Sequence, residues 1–201
     1  MSIISNLLEE IEKNEKRIRN ENIEDINLED IAINDVEFRN VTFKNCNILN
    51  SKVEKSFFNR TFFRNCNFSN TSFENSSFHD CKFENCKIEG CNFVENSIYD
   101  TVFQDTNANY INLYNASLRN VKFDNTSLKS SYFQESKIKK ILFKKANLTQ
   151  SQFFKTSLKD IDLSNSNIEG ISVSIEDIKG AIINEFQSID LLYLIGVKLK
   201  A

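Results

Sequence analysis

The chain of 201 residues contains no proline, no tryptophan, one histidine, one methionine and four glycines. With no proline and so little glycine it is neither collagen-like, nor proline-rich, nor a flexible linker. Four scattered glycines cannot build a phosphate-cradling loop, and the single histidine, His79, has around it none of the partners that a nucleophilic dyad needs. No uncharged run approaches the roughly 18 residues of a membrane span. The opening Met1-Ser-Ile-Ile-Ser-Asn-Leu-Leu-Glu-Glu has neither a basic stretch nor a continuous apolar one, so the expectation is no signal peptide and a cytoplasmic address. An excess of one charge is also missing: 28 acids against 25 bases leave −3, too balanced to mark a nucleic-acid binder by bulk composition. What the chain has in abundance is phenylalanine, 18 residues, within an apolar fraction of 40% that suffices for one domain with a core.

The phenylalanines keep a period of five. Every fifth residue from Ile23 to Val173 is apolar, and these positions hold Phe38, Phe43, Phe58, Phe63, Phe68, Phe73, Phe78, Phe83, Phe93, Phe103, Phe123, Phe133, Phe143 and Phe153. The position two residues earlier, from Ile26 to Ile171, is Ile, Val, Ala, Cys, Ser or Thr, with Asn96 the one exception. A step of five turns an α-helix by about 500°, which would smear this stripe around the cylinder. On a continuous strand an odd step sends successive large residues to opposite faces. Both conflicts vanish if the chain turns a corner once in each five residues, so that the large residue and the small one before it always point to a common axis.

Segments such as Cys66-Asn-Phe-Ser-Asn, Thr71-Ser-Phe-Glu-Asn, Cys81-Lys-Phe-Glu-Asn and Ala146-Asn-Leu-Thr-Gln resemble the consensus of the pentapeptide-repeat family. The resemblance implies an all-β solenoid, a right-handed quadrilateral β-helix with four pentapeptides per coil and nearly eight coils over 23–175. Residues 1–22 carry Ile4, Leu7, Leu8, Ile11 and Ile18 at mostly helical spacing, which predicts a short amphipathic helix capping the first coil or binding a partner. Phe57 and Phe62 fall on outward positions that such a helix would cover.

Beyond Val173 the period stops. Residues 176–201 are expected to form a C-terminal helical module, with a helix near 186–195 ended by Gly196. Phe186, Ile189, Leu191, Leu192, Leu194 and Ile195 cover more than one side of that helix and demand a second surface. The order Gly180, Phe186-Gln187, Leu191-Leu192, Ile195-Gly196-Val197 is similar to the end of the Qnr and MfpA group of quinolone-resistance pentapeptide proteins. That likeness implies a homodimer through the C-terminal module, and a rod that mimics DNA in shape and charge and binds DNA gyrase or topoisomerase IV. Many of that group interrupt the coil with projecting loops, whereas the register here admits no insertion.

Sorting outward residues by side gives one basic side and two acidic ones. Arg39, Arg60, Arg119, Lys137, Lys139, Lys140 and Lys159 stand against Glu37, Asp80, Asp100 and Asp160 on the first. The acidic sides supply Glu54, Glu74, Glu95 and Glu135, then Glu89 and Glu169, as the candidate phosphate substitutes. A rival contact surface is offered by Tyr110, Tyr114, Tyr132 and Phe154, or by the column Arg119, Lys139 and Lys159, in a scaffold with no topoisomerase role. Direct nucleic-acid binding is not expected. Cys46, Cys66, Cys81, Cys86 and Cys91 all take the small inward position, where volume explains them without a disulfide or a metal. The expected protein is thus non-enzymatic, without cofactor or metal, and binds other proteins through its outer sides.

Overall fold

The computed structural model describes Glu9, Ile11 and residues 15–197. The chain winds into a four-sided parallel β-solenoid. Side one is a seven-stranded sheet of Arg17–Arg19, Glu37–Arg39, Phe57–Asn59, Ser77–His79, Ser97–Tyr99, Ser117–Arg119 and Lys137–Lys139. Side two is a second seven-stranded sheet, from Asn22–Glu24 to Leu142–Lys144. Every pairing joins residues 20 apart, for example Phe83 with Phe103 and Leu118 with Ile138. Sides three and four are narrower. Apart from the pair Asn27–Glu29 and Asn47–Leu49 they consist of single parallel bridges, such as Asn107 with Ser127 and Asn112 with Tyr132.

The corner that the period of five demands is a left-handed residue. From Asn20 to Asp160 every fifth residue has positive φ, between 49° and 67°. Asn, Asp and Gly tolerate that region best, which accounts for Asn40, Asn45, Asp80, Gly90 and Asn120 at corners. On sides three and four a second device appears. The Asn before the inward residue accepts a hydrogen bond from the backbone N–H two residues on, as Asn107 does from Asn109, Asn147 from Thr149 and Asn167 from Glu169. This local bond fixes the turn there, whereas Asn40, Asn65 and Asn85 at corners donate up the rod to the side chains of Asn20, Asn45 and Asn65.

Each corner sends its large residue to the axis. Phe63, Phe83, Phe103, Phe123 and Phe143 stack with ring centroids 4.4, 4.8, 5.0 and 5.4 Å apart and planes within 14° of parallel. The neighbouring column of Phe38, Phe58 and Phe78 meets this one at an edge or tilted, as in Phe38 against Phe43 at 5.4 Å. Offset and edge contacts of this kind add roughly 0.5–1.5 kcal/mol each to the burial of the rings. The small inward residues close the remaining space and satisfy themselves. Thr71 Oγ1, Cys91 Sγ and Ser151 Oγ each donate to the carbonyl of the large residue 23 positions back, at 2.7, 2.8 and 2.7 Å. All five thiols are free and buried. Burial pushes the Cys81 thiol up to about 12 and raises that of Cys91 further.

The ends differ from the expectation. Arg17–Arg19 is already a strand in register with Glu37–Arg39, and Ile18 is buried at the axis. Ile18 fits the five-residue period as well as the helical one, and the solenoid claims it, so no helix runs to residue 22. Glu9 and Ile11 are helical, and Ile11 is buried against the first coil; the rest of the expected N-terminal helix lies outside the described residues. Phe57 and Phe62 stand exposed on sides one and two instead of under a cap. At the other end a one-turn helix, Ile175–Ile178, is N-capped by Ser174, whose hydroxyl accepts from Asp177 N–H. The expected 186–195 helix is an α-turn, Gln187–Asp190, followed by a 3₁₀ turn, Leu192–Ile195, with Gly196 in the left-handed region closing it. Gln187 is the plug. Its side-chain amide donates to the carbonyls of Leu163 and Ser166, and its oxygen accepts from Asn184 N–H.

Asn96, the exception in the small inward column, is buried with Oδ1 accepting from Ser76 N–H, while its Nδ2 has no partner among the described residues. Threonine would keep the acceptor and most of the volume, and its hydroxyl could donate inward as Thr71 does. Asn96→Thr should therefore stabilise the protein by about 1 kcal/mol, read from urea denaturation with an unchanged m-value.

Candidate functional site

The core leaves only outer side chains to meet a partner. Among the described residues no three His, Cys, Asp or Glu side chains converge as metal ligands. His79 lies on side one between Asn59, 3.0 Å from Nδ1, and Asp100, 3.5 Å from Nε2. These contacts hold the imidazole in a surface ladder.

Glu54 and Glu74 share one column on side four, and Glu95 occupies the adjoining corner. Among the described residues none of the three forms an ion pair, and Glu74 is held by Asn92 and Asn75. Glu135 is differently placed. Lys155 reaches it at 2.7 Å, and the Tyr114 hydroxyl donates to it at 3.0 Å, so its charge is largely spent within the molecule. Glu89 pairs with Lys87 at 3.1 Å on side three, and Glu169 is exposed near the C-terminal end of that side. The negative strip is thus strongest over the coils from Glu54 to Glu95, since Lys16 faces Asp35 at 3.7 Å, and Lys52 and Lys55 interrupt it.

Past Glu95 side four changes character. Tyr114, Tyr132 and Phe154 are exposed on it, and Tyr110 stands 53% exposed at the corner with side three. The C-terminal module divides the apolar set predicted for it. Leu191 and Leu194 pack on the protein's own core and Leu192 is half-buried, while Phe186, Ile189 and Ile195 are 75%, 57% and 66% exposed. Ile182 and Val197 extend this apolar end. Sequence reasoning missed how the tail is fastened, through Gln187 and through the Tyr193 hydroxyl, which donates to Ile171 carbonyl.

On side one, cations near the N-terminal end are consumed. Arg17, Arg19 and Arg39 surround Glu37, and Arg60 reaches Asp80. Arg119 instead lies over the Tyr99 ring, 4.7 Å from its centroid. Arg119 pairs with Lys139 across the sheet, but Lys159 does not continue the ladder.

Residues 76–153 match the family model of the pentapeptide repeat region, and 58–93 match that of pentapeptide repeats in eight copies. A trypsin-treated variant of QnrB1, a plasmid-mediated fluoroquinolone resistance protein, aligns over 92% of this chain and 99% of its own, with TM-score 0.59 and 15% identity. Full-length QnrB1 aligns over 88% and 100%, with TM-score 0.44 and 17% identity. At such identities the likeness is one of fold. The search of the curated proteins returns no match.

Hydrogen bonds from Arg19, Lys82 and Lys122 hold the carboxyls of Glu37, Glu84 and Asp124 below the usual carboxylate range. A carboxyl that binds its proton less readily when folded contributes stability above its unfolded pKa, and that contribution is lost as pH falls through the folded value. The melting temperature should stay level from neutral pH to about pH 5 and fall below about pH 4. Glu37→Gln should flatten the acid limb of that curve in a thermal-melt series.

Proposed function

We propose, from the premise that this is a pentapeptide-repeat protein, that it is a non-catalytic protein-binding rod whose acidic strip occupies a groove built for DNA in a type II topoisomerase, DNA gyrase or topoisomerase IV. The observation that carries this reading is the run of Glu54, Glu74 and Glu95, which form no ion pair among the described residues, along one edge of a rigid rod. A groove that neutralises phosphates rewards such a run through the same release of counterions. A rigid solenoid also meets its partner with little ordering cost. The strip is confined to the coils before Glu95, and Tyr110, Tyr114, Tyr132 and Phe154 follow it. Those aromatics favour a second reading, an interaction scaffold that docks a partner on side four without any topoisomerase role.

A supercoiling assay separates the two. Purified protein at micromolar concentration should inhibit gyrase or relieve quinolone inhibition, and Glu54→Lys with Glu74→Lys should shift the effective concentration upward by about tenfold or more. Absence of inhibition, relief and binding leaves the scaffold reading.

The apolar end supports a homodimer, with Phe186, Ile189 and Ile195 as its centre and Leu191, Leu192 and Leu194 behind them. Exposed residues of this size in one place are what a self-complementary interface buries. Light scattering should give twice the mass of the 23.3 kDa chain, and Ile189→Asp should return the mass of one chain.

A further inference from the structure

The ladder of the solenoid opens at one place. Up to Lys137–Lys139 and Leu142–Lys144 each coil pairs with the next on sides one and two. The register would next have Ser157 N–H donate to Ser136 carbonyl and Lys140 N–H to Lys159 carbonyl. Neither bond is present, and no backbone hydrogen bond joins 137–145 to 157–165 on these two sides. The reason lies in the backbone. Residues 137–139 and 142–144 are extended, whereas 159–160 and 164–165 are turns, so the facing amides and carbonyls no longer meet. The coil 157–164 bonds onward instead, with Leu158 N–H to Asp177 carbonyl, Asp160 N–H to Gly180 carbonyl and Leu163 N–H to Ile182 carbonyl. Over the gap lies a groove of about 560 Å³ with Ile138 half-exposed in its floor and Tyr99, Ser117, Arg119, Lys137, Lys139 and Ser157 among its walls.

Its charge is uncompensated. Arg119, Lys137 and Lys139, which line it, form no ion pair among the described residues, and neither do Lys140 and Lys159 outside its lining, in a chain whose net charge is −3. Lys155, also at the rim, is spent on Glu135, and Asp160 is the acid nearest in sequence, in the corner column of Lys140. Arg119 and Lys139 are adjacent in the ladder, about 4.8 Å apart at the backbone. That is well inside the roughly 10 Å over which salt at 0.1 M screens them. Such crowding is unfavourable unless an anion joins it. The Tyr99 ring holds the Arg119 guanidinium in place, and Tyr99 OH approaches Ser117 Oγ at 3.4 Å.

We propose that this groove binds a short phosphoanhydride chain. Adjacent phosphoryl groups bring several negative oxygens within a few ångströms of one another, which matches crowded cations, a planar guanidinium fork and the Ser157 N–H, which finds no acceptor among the described residues. Isolated carboxylates of an acidic peptide recur only every second residue along a strand. The cationic rows span about two coil spacings, near 10 Å, a short footprint for a nucleic-acid duplex. This site is independent of the acidic strip on side four and of any topoisomerase.

Isothermal titration of the full chain in about 50 mM salt, where screening is weak, tests it with inorganic tripolyphosphate and with ATP as probes. Both should bind, and Arg119→Gln or Lys139→Gln should weaken binding by about tenfold, as loss of a charge-assisted contact does. Lys82→Gln, which removes the same charge beside Glu84 on side two, should leave affinity unchanged. Equal affinities assign the site to free polyphosphate, and tighter ATP assigns it to nucleotides. Because the substituted side chains are exposed, melting curves of the variants should overlay the parent. The proposal fails if tripolyphosphate gives no binding at about 1 mM, a free energy of only about −4 kcal/mol. It also fails if Lys82→Gln weakens binding as much as Lys139→Gln. Tighter binding of a short DNA duplex or a polyglutamate peptide through Arg119 and Lys139 would overturn it as well.

Discussion

One backbone constraint underlies the molecule: a residue in the left-handed region at every fifth position. It bends the chain without proline and nearly without glycine, and it sets which residues point inward. Once the corners exist, Phe83 must lie over Phe63 and under Phe103, because no other direction is open to it. Each non-glycine corner costs on the order of 1 kcal/mol. That cost is met by stacked rings, parallel ladders and inward hydroxyl bonds that all repeat in the same register.

The outer surface is almost free of that constraint. A side chain at an outward position touches its equivalents one coil above and below, so charge is organised in columns, not by the core. Arg19 with Glu37, Lys44 with Glu24 and Lys155 with Glu135 are ties between neighbouring coils. Exposed pairs of this kind contribute little to stability. They do decide which charges remain available to a partner, and this separates Glu54 and Glu74 from Glu135. It also explains how one scaffold can carry an acidic edge, an aromatic patch and a basic groove without change of fold.

The solenoid was legible because its period is incompatible with any straight element, and apolar residues keep that period without a break from Ile23 to Val173. Its start was less legible. Ile18 satisfies two periods at once, and only the pairing of Arg17–Arg19 with Glu37–Arg39 decides between them. The tail was legible as apolar, but composition could not divide Leu191 and Leu194, which pack inward, from Phe186 and Ile189, which do not. The open ladder left no mark in the inward residues, since Leu158 and Leu163 keep the same positions as Leu118 and Phe123. It follows from backbone turns that outward polar residues permit without announcing.

In a stack where each layer touches only its neighbours, cooperativity passes through nearest-neighbour coupling. The missing bonds between 137–145 and 157–165 weaken one such coupling, so the solenoid has a domain wall near its C-terminal end. Six consecutive corners beside it, Ser130, Glu135, Lys140, Lys145, Gln150 and Lys155, carry neither Asn, Asp nor Gly, whereas elsewhere such corners come singly or in pairs, at Lys55 and Arg60, Glu95 and Tyr110. Thermal opening therefore has a preferred direction: the last coil and its helical cap detach as one unit, while the phenylalanine-rich barrel before them remains closed.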